Sequence, residues 1–162
     1  MRAFLIAIAA FAVASCATTT DPAPGTGEVR SIMLGEEPCF GFCPVYEITL
    51  TPDDGYVLNG RQHTATQGES RGMLPEGSFA RAVAALETAG FRSLPSDLTY
   101  NNAAACPGPH VSDMPYTNVV VEYANGSHAV HHYHGCSAPE MRQLRETLRE
   151  IVDYNTRIRP RN

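Results

Sequence analysis

The sequence predicts an α+β domain on an antiparallel sheet of about six short strands, ordered as a four-strand meander, a helix, a hairpin and a C-terminal helix. Three observations carry this. Residues 45–50 alternate, with Val45, Glu47 and Thr49 on one face and Tyr46, Ile48 and Leu50 on the other, as in a half-buried strand. Two alternating runs, 116–123 and 128–134, flank Asn125-Gly126, a dipeptide that supplies the positive φ angles of a tight hairpin turn. Two other segments repeat apolar residues at helical spacing: Phe79, Ala82, Val83, Leu86, and later Leu144, Leu148, Ile151, Val152. Strands dominate and helices are few, which places the chain in the α+β class.

The elements follow in order. Val29 to Leu34 is a first strand, and residues 36–44, rich in Pro and Gly, form a tight loop before the second. Pro52-Asp53-Asp54-Gly55 is turn chemistry, after which Tyr56-Val57-Leu58 resumes a strand. Asn59-Gly60 predicts a second hairpin turn, with Arg61 to Thr66 as the returning strand. A helix is expected over 76–89, closed by Gly90 as C-cap, and a loop over 94–115. In the hairpin, Val121 should face Val130 and Tyr123 should face His128. Ser137 and Glu140 have the spacing of a capping box for the last helix. Arg142, Arg145, Glu146, Arg149 and Glu150 are assigned to its wet face, and the chain is expected to fray over 156–162.

The N-terminus carries an address. Arg2 precedes an almost uncharged run, Ala3 to Val13, of secretory-signal length, and Val13-Ala14-Ser15-Cys16 follows. A membrane span needs about 20 apolar residues, and Thr18-Thr19-Thr20-Asp21 interrupts too early. The tetrapeptide resembles the lipobox of bacterial lipoproteins, in which the cysteine is lipidated and becomes the new N-terminus. That resemblance implies a signal peptide over 1–15, a lipidated flexible tether over 16–28 and one domain over 29–155. It makes the membrane a partner through lipid on Cys16. Ala17, where an aspartate would resemble an inner-membrane retention signal, points to the periplasmic face of the outer membrane. The net charge of −5 becomes −6 once Arg2 leaves with the signal, which disfavours nucleic acid and anionic head-groups.

With Cys16 lipidated, Cys39, Cys43, Cys106 and Cys136 remain. An even number in an oxidising compartment suggests two disulfides. Three pairings exist and the sequence alone does not choose among them. The preferred one joins Cys39 to Cys43, close together and braced by Gly41 and Pro44, and Cys106 to Cys136, which clips a long loop to a strand end.

Pro38-Cys39-Phe40-Gly41-Phe42-Cys43-Pro44-Val45-Tyr46 resembles the signature of bacterial domain-of-unknown-function family 6438, small exported proteins with Pro-Cys, an aromatic, Gly, any residue, then Cys-Pro-Val-Tyr. Asp54-Gly55 fits the acidic-Gly turn that follows, and Asp113-Met114-Pro115 and Val130 to Cys136 supply a second similarity. The resemblance covers about 29–153 and implies a fold but no activity.

Cys39-Phe40-Gly41-Phe42-Cys43 lacks the two-residue spacing and the following helix of a thioredoxin-type redox motif, so a disulfide brace is expected there. His128, His132 and His134 share a strand face with Val130, while His131 points the other way. Residues two apart on one face can converge on zinc or copper, and Cys136, His110 or Asp113 could complete such a set. The favoured assignment for these histidines is structural, amid apolar neighbours. No Gly-x-Ser-x-Gly elbow or phosphate-binding glycine loop is present, and Glu36-Glu37 and Asp53-Asp54 fall in turns. The expected function is therefore a non-enzymatic, envelope-associated binding module with no cofactor, engaging an envelope protein or ligand. The alternative is a periplasmic zinc or copper protein using His128, His132, His134 and Cys136.

Overall fold

A computed structural model of the chain describes residues 25–160. Cys16, the signal segment and most of the tether lie outside these residues. The elements are β1 (Thr26–Glu36), β2 (Val45–Leu50), β3 (Gly55–Gln62), β4 (Gly68–Met73), α1 (Ser78–Thr88), a 3-10 turn at Phe91–Ser93, β5 (Asp97–Leu98), β6 (Tyr116–Tyr133), α2 (Pro139–Ile151) and α3 (Tyr154–Arg157). The sheet order is β4-β3-β2-β1-β6-β5, antiparallel except for the short β5–β6 pairing. The α+β architecture and the opening meander are as expected.

β6 is a hairpin. Eighteen residues in one straight strand would span about 60 Å, yet the Tyr116 ring stacks on His131 at 4.8 Å and Thr117 Oγ1 lies 2.7 Å from His134 Nε2. The chain doubles back at Asn125-Gly126, where Gly126 has φ 93°. The His134 N–H donates to the Pro115 carbonyl at 3.0 Å and the Tyr116 and Tyr133 rings lie 4.9 Å apart, a register two residues from the expected one in which Val121 faces Val130. The first limb pairs with β1 and the second with β5.

The helices cover one face of the sheet. Ile32 and Leu34 of β1, Ile48 and Leu50 of β2, and Val119, Val121 and Val130 of β6 pack there against Phe79, Ala82 and Leu86 of α1 and Met141, Leu144 and Leu148 of α2. α1 begins at Gly77, which has no side chain to cap it. The Asp54 carboxylate in the β2–β3 turn substitutes, accepting from the Gly77 N–H at 2.8 Å and the Phe79 N–H at 2.7 Å.

Several expectations are corrected. Asn59-Gly60 is not a turn: β3 runs through it, the chain reverses over 63–67, and the fourth strand is Gly68–Met73 rather than 61–66. A Cβ on Gly60 would collide with the Thr66 carbonyl and Thr64, so the glycine lets the reversing loop lie against the strand. The 94–115 segment contains β5, held in place by the hairpin edge. The capping box does not form; α2 starts at Pro139 after Ala138, with proline's fixed φ and missing N–H suited to a first turn. At the boundaries, β1 begins at Thr26, inside the segment assigned to the tether. Residues 156–160 are not frayed: α3 runs to Arg157, Ile158 is fully buried, and its carbonyl accepts from the Ala65 N–H at 2.8 Å.

Candidate functional site

The end of the sheet that carries the cysteine loop also carries a row of polar side chains on its otherwise apolar, helix-facing side. β1 pairs Glu36 with Tyr46 of β2 and with Thr117 of β6, and Thr117 meets His134 on the return limb. α2 and α3 close over this row. Arg145 Nε lies 2.5 Å from Glu36 Oε1 and Arg149 Nη1 lies 3.8 Å from it. The Arg149 guanidinium stacks 3.5 Å above the Tyr154 ring. Glu36 is only 7 % exposed. The placements of Glu36 as a solvated turn charge, and of Arg145 and Arg149 on a wet helix face, are therefore corrected. Glu36 continues the inward phase of Ile32 and Leu34, and burying its charge requires a partner, which the arginines beside Leu144 and Leu148 supply.

These surroundings perturb protonation. Burial raises the Tyr46 hydroxyl well above its ordinary range, helped by the Glu36 charge, and its oxygen has no hydrogen-bond partner. Burial also lowers His134 to about 4, reinforced by Arg145, His132 and Arg149. His132 shifts the same way, again mainly by burial. At neutral pH the row therefore holds a neutral imidazole and a protonated phenol beside the Glu36–arginine pairs. Glu36 lies against both guanidinium groups. The row's geometric effect is on the loop above it. Glu36 and Tyr46 are register partners at the two ends of residues 37–45, so the buried ion pair fixes the base of that loop.

The Cys39–Cys43 disulfide, with Cα atoms 5.7 Å apart, closes the loop a second time. Between the cysteines, Phe40 is 94 % exposed and Phe42 is 88 % exposed, the latter meeting His63 edge-on at 5.1 Å. Beside the loop, on the open face of the sheet, a groove of about 390 Å³ has Gly35 as its floor and Glu37, Glu47, Arg61 and Asn118 among its walls. Asn118 Nδ2 donates to Glu37 Oε1 at 2.7 Å, and Arg61 pairs with Glu47 at 2.6 Å.

The second disulfide joins Cys106 to Cys136, with Cα atoms 5.2 Å apart, so both preferred pairings are present. The histidines have separate commitments. His128 Nε2 donates to the Leu94 carbonyl at 3.1 Å and packs against Phe91. His132 Nε2 donates to the Cys136 carbonyl at 3.3 Å, and His134 engages Thr117. His131 faces the other side of the sheet, 3.3 Å from Glu37. His132 and His134 do line one pocket of about 250 Å³ with Met114, Cys136, Arg142 and Arg145. His128 is not part of it, and Cys136 is held in the disulfide, so the four residues of the metal alternative do not form one donor set here. His110 and Cys136 do come together, at Cys106; Asp113 is not in that group.

No curated protein sequence matches the chain. Residues 30–152 match the family described as Domain of unknown function (DUF6438). The match spans β1 to the end of α2 and includes the cysteine loop, the polar row beneath it and the hairpin. The chain belongs to the DUF6438 family.

Proposed function

We propose that this protein is a membrane-anchored, periplasmic lipoprotein whose domain is a non-enzymatic binding module, and that it engages an envelope protein through the Cys39–Cys43 loop. One observation carries the proposal. Two phenylalanines separated by Gly41 stand almost fully in solvent on a loop closed twice, by the disulfide and by the Glu36–Tyr46 pair over its half-buried arginines. Ordering the loop in advance lowers the entropy cost of docking, and burying both rings in a partner's cleft contributes roughly 2 kcal/mol each.

The position of the loop favours a protein over the anchoring bilayer. The chain enters the domain at Thr26, ten residues after Cys16, and β1 then runs to Glu36. That is about 34 Å of strand, so the phenylalanines sit at the opposite end of β1 from the point where the chain enters the domain. The groove over Gly35 gives the docked partner a polar rim.

A photo-crosslinking residue at position 40 tests this in the intact envelope, with position 73 as an exposed control. The expected result is a discrete adduct from position 40 and none from 73, lost in Cys39→Ser/Cys43→Ser while the melting temperature of the domain stays near wild type. Absence of a position-specific adduct would refute the proposal. So would binding of the Cys16→Ser domain to lipid vesicles in a manner that depends on Phe40 and Phe42.

A further inference from the structure

Cys106, His110 and Cys136 offer three metal-donor atoms that all lie within 4.8 Å of one another. We infer that these residues form a zinc site that opens when the Cys106–Cys136 disulfide is reduced. The geometry is already close to a ligand set. Cys106 Sγ is 3.4 Å from His110 Nδ1, the separation expected of two ligands on one tetrahedral ion with bonds of about 2.3 Å to sulfur and 2.0 Å to nitrogen. In the oxidised protein the sulfurs are spent on each other. A protein dithiol converts them to two thiols and is itself oxidised to a disulfide. Zinc then displaces the two thiol protons, and two thiolates and one neutral imidazole bind it, with water completing the tetrahedron. Two thiolates balance the charge of a divalent ion, and the mixed sulfur–nitrogen set suits zinc over harder cations.

The loop that carries His110 is held by contacts independent of the disulfide, so the donors stay together on reduction. Tyr133 Oη donates to the Val111 carbonyl at 2.5 Å and accepts from the Met114 N–H at 3.3 Å. On the other side, the Cys136 carbonyl accepts from His132. Zinc would replace one clip between the 99–115 loop and the hairpin by another, keeping the loop pinned under reducing conditions.

The test uses the Cys39→Ser/Cys43→Ser chain, so that Cys106 and Cys136 are the thiols measured. Zinc is titrated against a chromogenic chelator, before and after reduction with a phosphine, and cobalt is used as a spectroscopic stand-in. The expected outcome is one zinc per reduced chain, none per oxidised chain, and a sulfur-to-cobalt charge-transfer band only after reduction. His110→Ala should weaken zinc binding by about 100-fold or more, beyond the 10–100-fold lost with a group that only orients a ligand, while the disulfide still forms on oxidation. His63→Ala should change nothing. Three results would overturn the inference: a reduced chain with native circular dichroism that takes up no stoichiometric zinc, equal zinc affinity in His110→Ala, or loss of the native fold on reduction before zinc can bind.

Discussion

Replacing Glu36 by glutamine removes a charge and keeps the shape, and the structure sets the size of the effect. The carboxylate is buried and lies 2.5 Å from Arg145 Nε and 3.8 Å from Arg149 Nη1. Removing one partner of a fully buried ion pair costs about 3–5 kcal/mol, because a charge is stranded without compensation. Here the Arg145 and Arg149 side chains retain 20 % and 24 % of their exposure, so the guanidinium groups can turn partly toward water. That lowers the expected cost to about 2–3 kcal/mol. For a domain of this size the melting temperature should fall by roughly 8–12 °C. The chain has no tryptophan, so the assay is urea or thermal unfolding followed by circular dichroism and tyrosine fluorescence. Pairing Glu36→Gln with Arg145→Met in a double-mutant cycle isolates the interaction, and the double variant should recover part of the loss. A loss below about 0.5 kcal/mol, the range of an ordinary surface change, would refute the claim that this pair braces the base of the loop.

Cys16→Ser should move the protein from the membrane fraction to the soluble one and abolish lipid labelling; retention on membranes after a high-salt wash would defeat the lipoprotein assignment. Peptide mapping without reduction should find Cys39 linked to Cys43 and Cys106 to Cys136, and replacing the second pair by serines should cost about 3–4 kcal/mol in chelator, as expected for a closed loop of about 30 residues. Because His134 is held at about 4, below its ordinary value of 6.5, stability should be complete above pH 6.5, fall as the unfolded chain takes up a proton between 6.5 and 4, and level off below. Allowing for its partial exposure, the loss should be about 1–2 kcal/mol, and His134→Gln should flatten the profile in urea melts at pH 7.5 and 4.5. His128→Ala and His132→Ala should each cost about 1 kcal/mol by the same melts, the typical size for a point change.

The same dipeptide shows what the sequence reveals and what it hides. Asn125-Gly126 was legible as a chain reversal because alternating apolar residues flank it, although the limbs meet two residues away from the expected register. Asn59-Gly60 carries the same turn signal, but Gly60 answers to a contact from Thr64 and Thr66 that only the folded loop creates. Spacing and local bracing made one of three disulfide pairings the preferred one without choosing it, and the structure contains that pairing. The polar row was not legible, because Glu36, Thr117 and His134 come from three strand segments whose registers must be known before they meet. β5 has two residues and pairs in parallel with a distant edge, too little pattern to see in advance. The buried Ile158 was hidden in a basic tail, and its backbone hydrogen bond is with the loop at Ala65, far away in sequence.

The Asp54 carboxylate gives the domain a particular order of dependence. Its two hydrogen bonds begin α1 from a turn 23 residues earlier than Gly77. The first helix thus has its start signal in the preceding strand layer and not in its own segment. A fragment cut between β4 and α1 would leave the meander with an idle carboxylate and the helix with bare amides. The meander and the helical half are bound into one cooperative unit by a side chain that belongs to a hairpin turn.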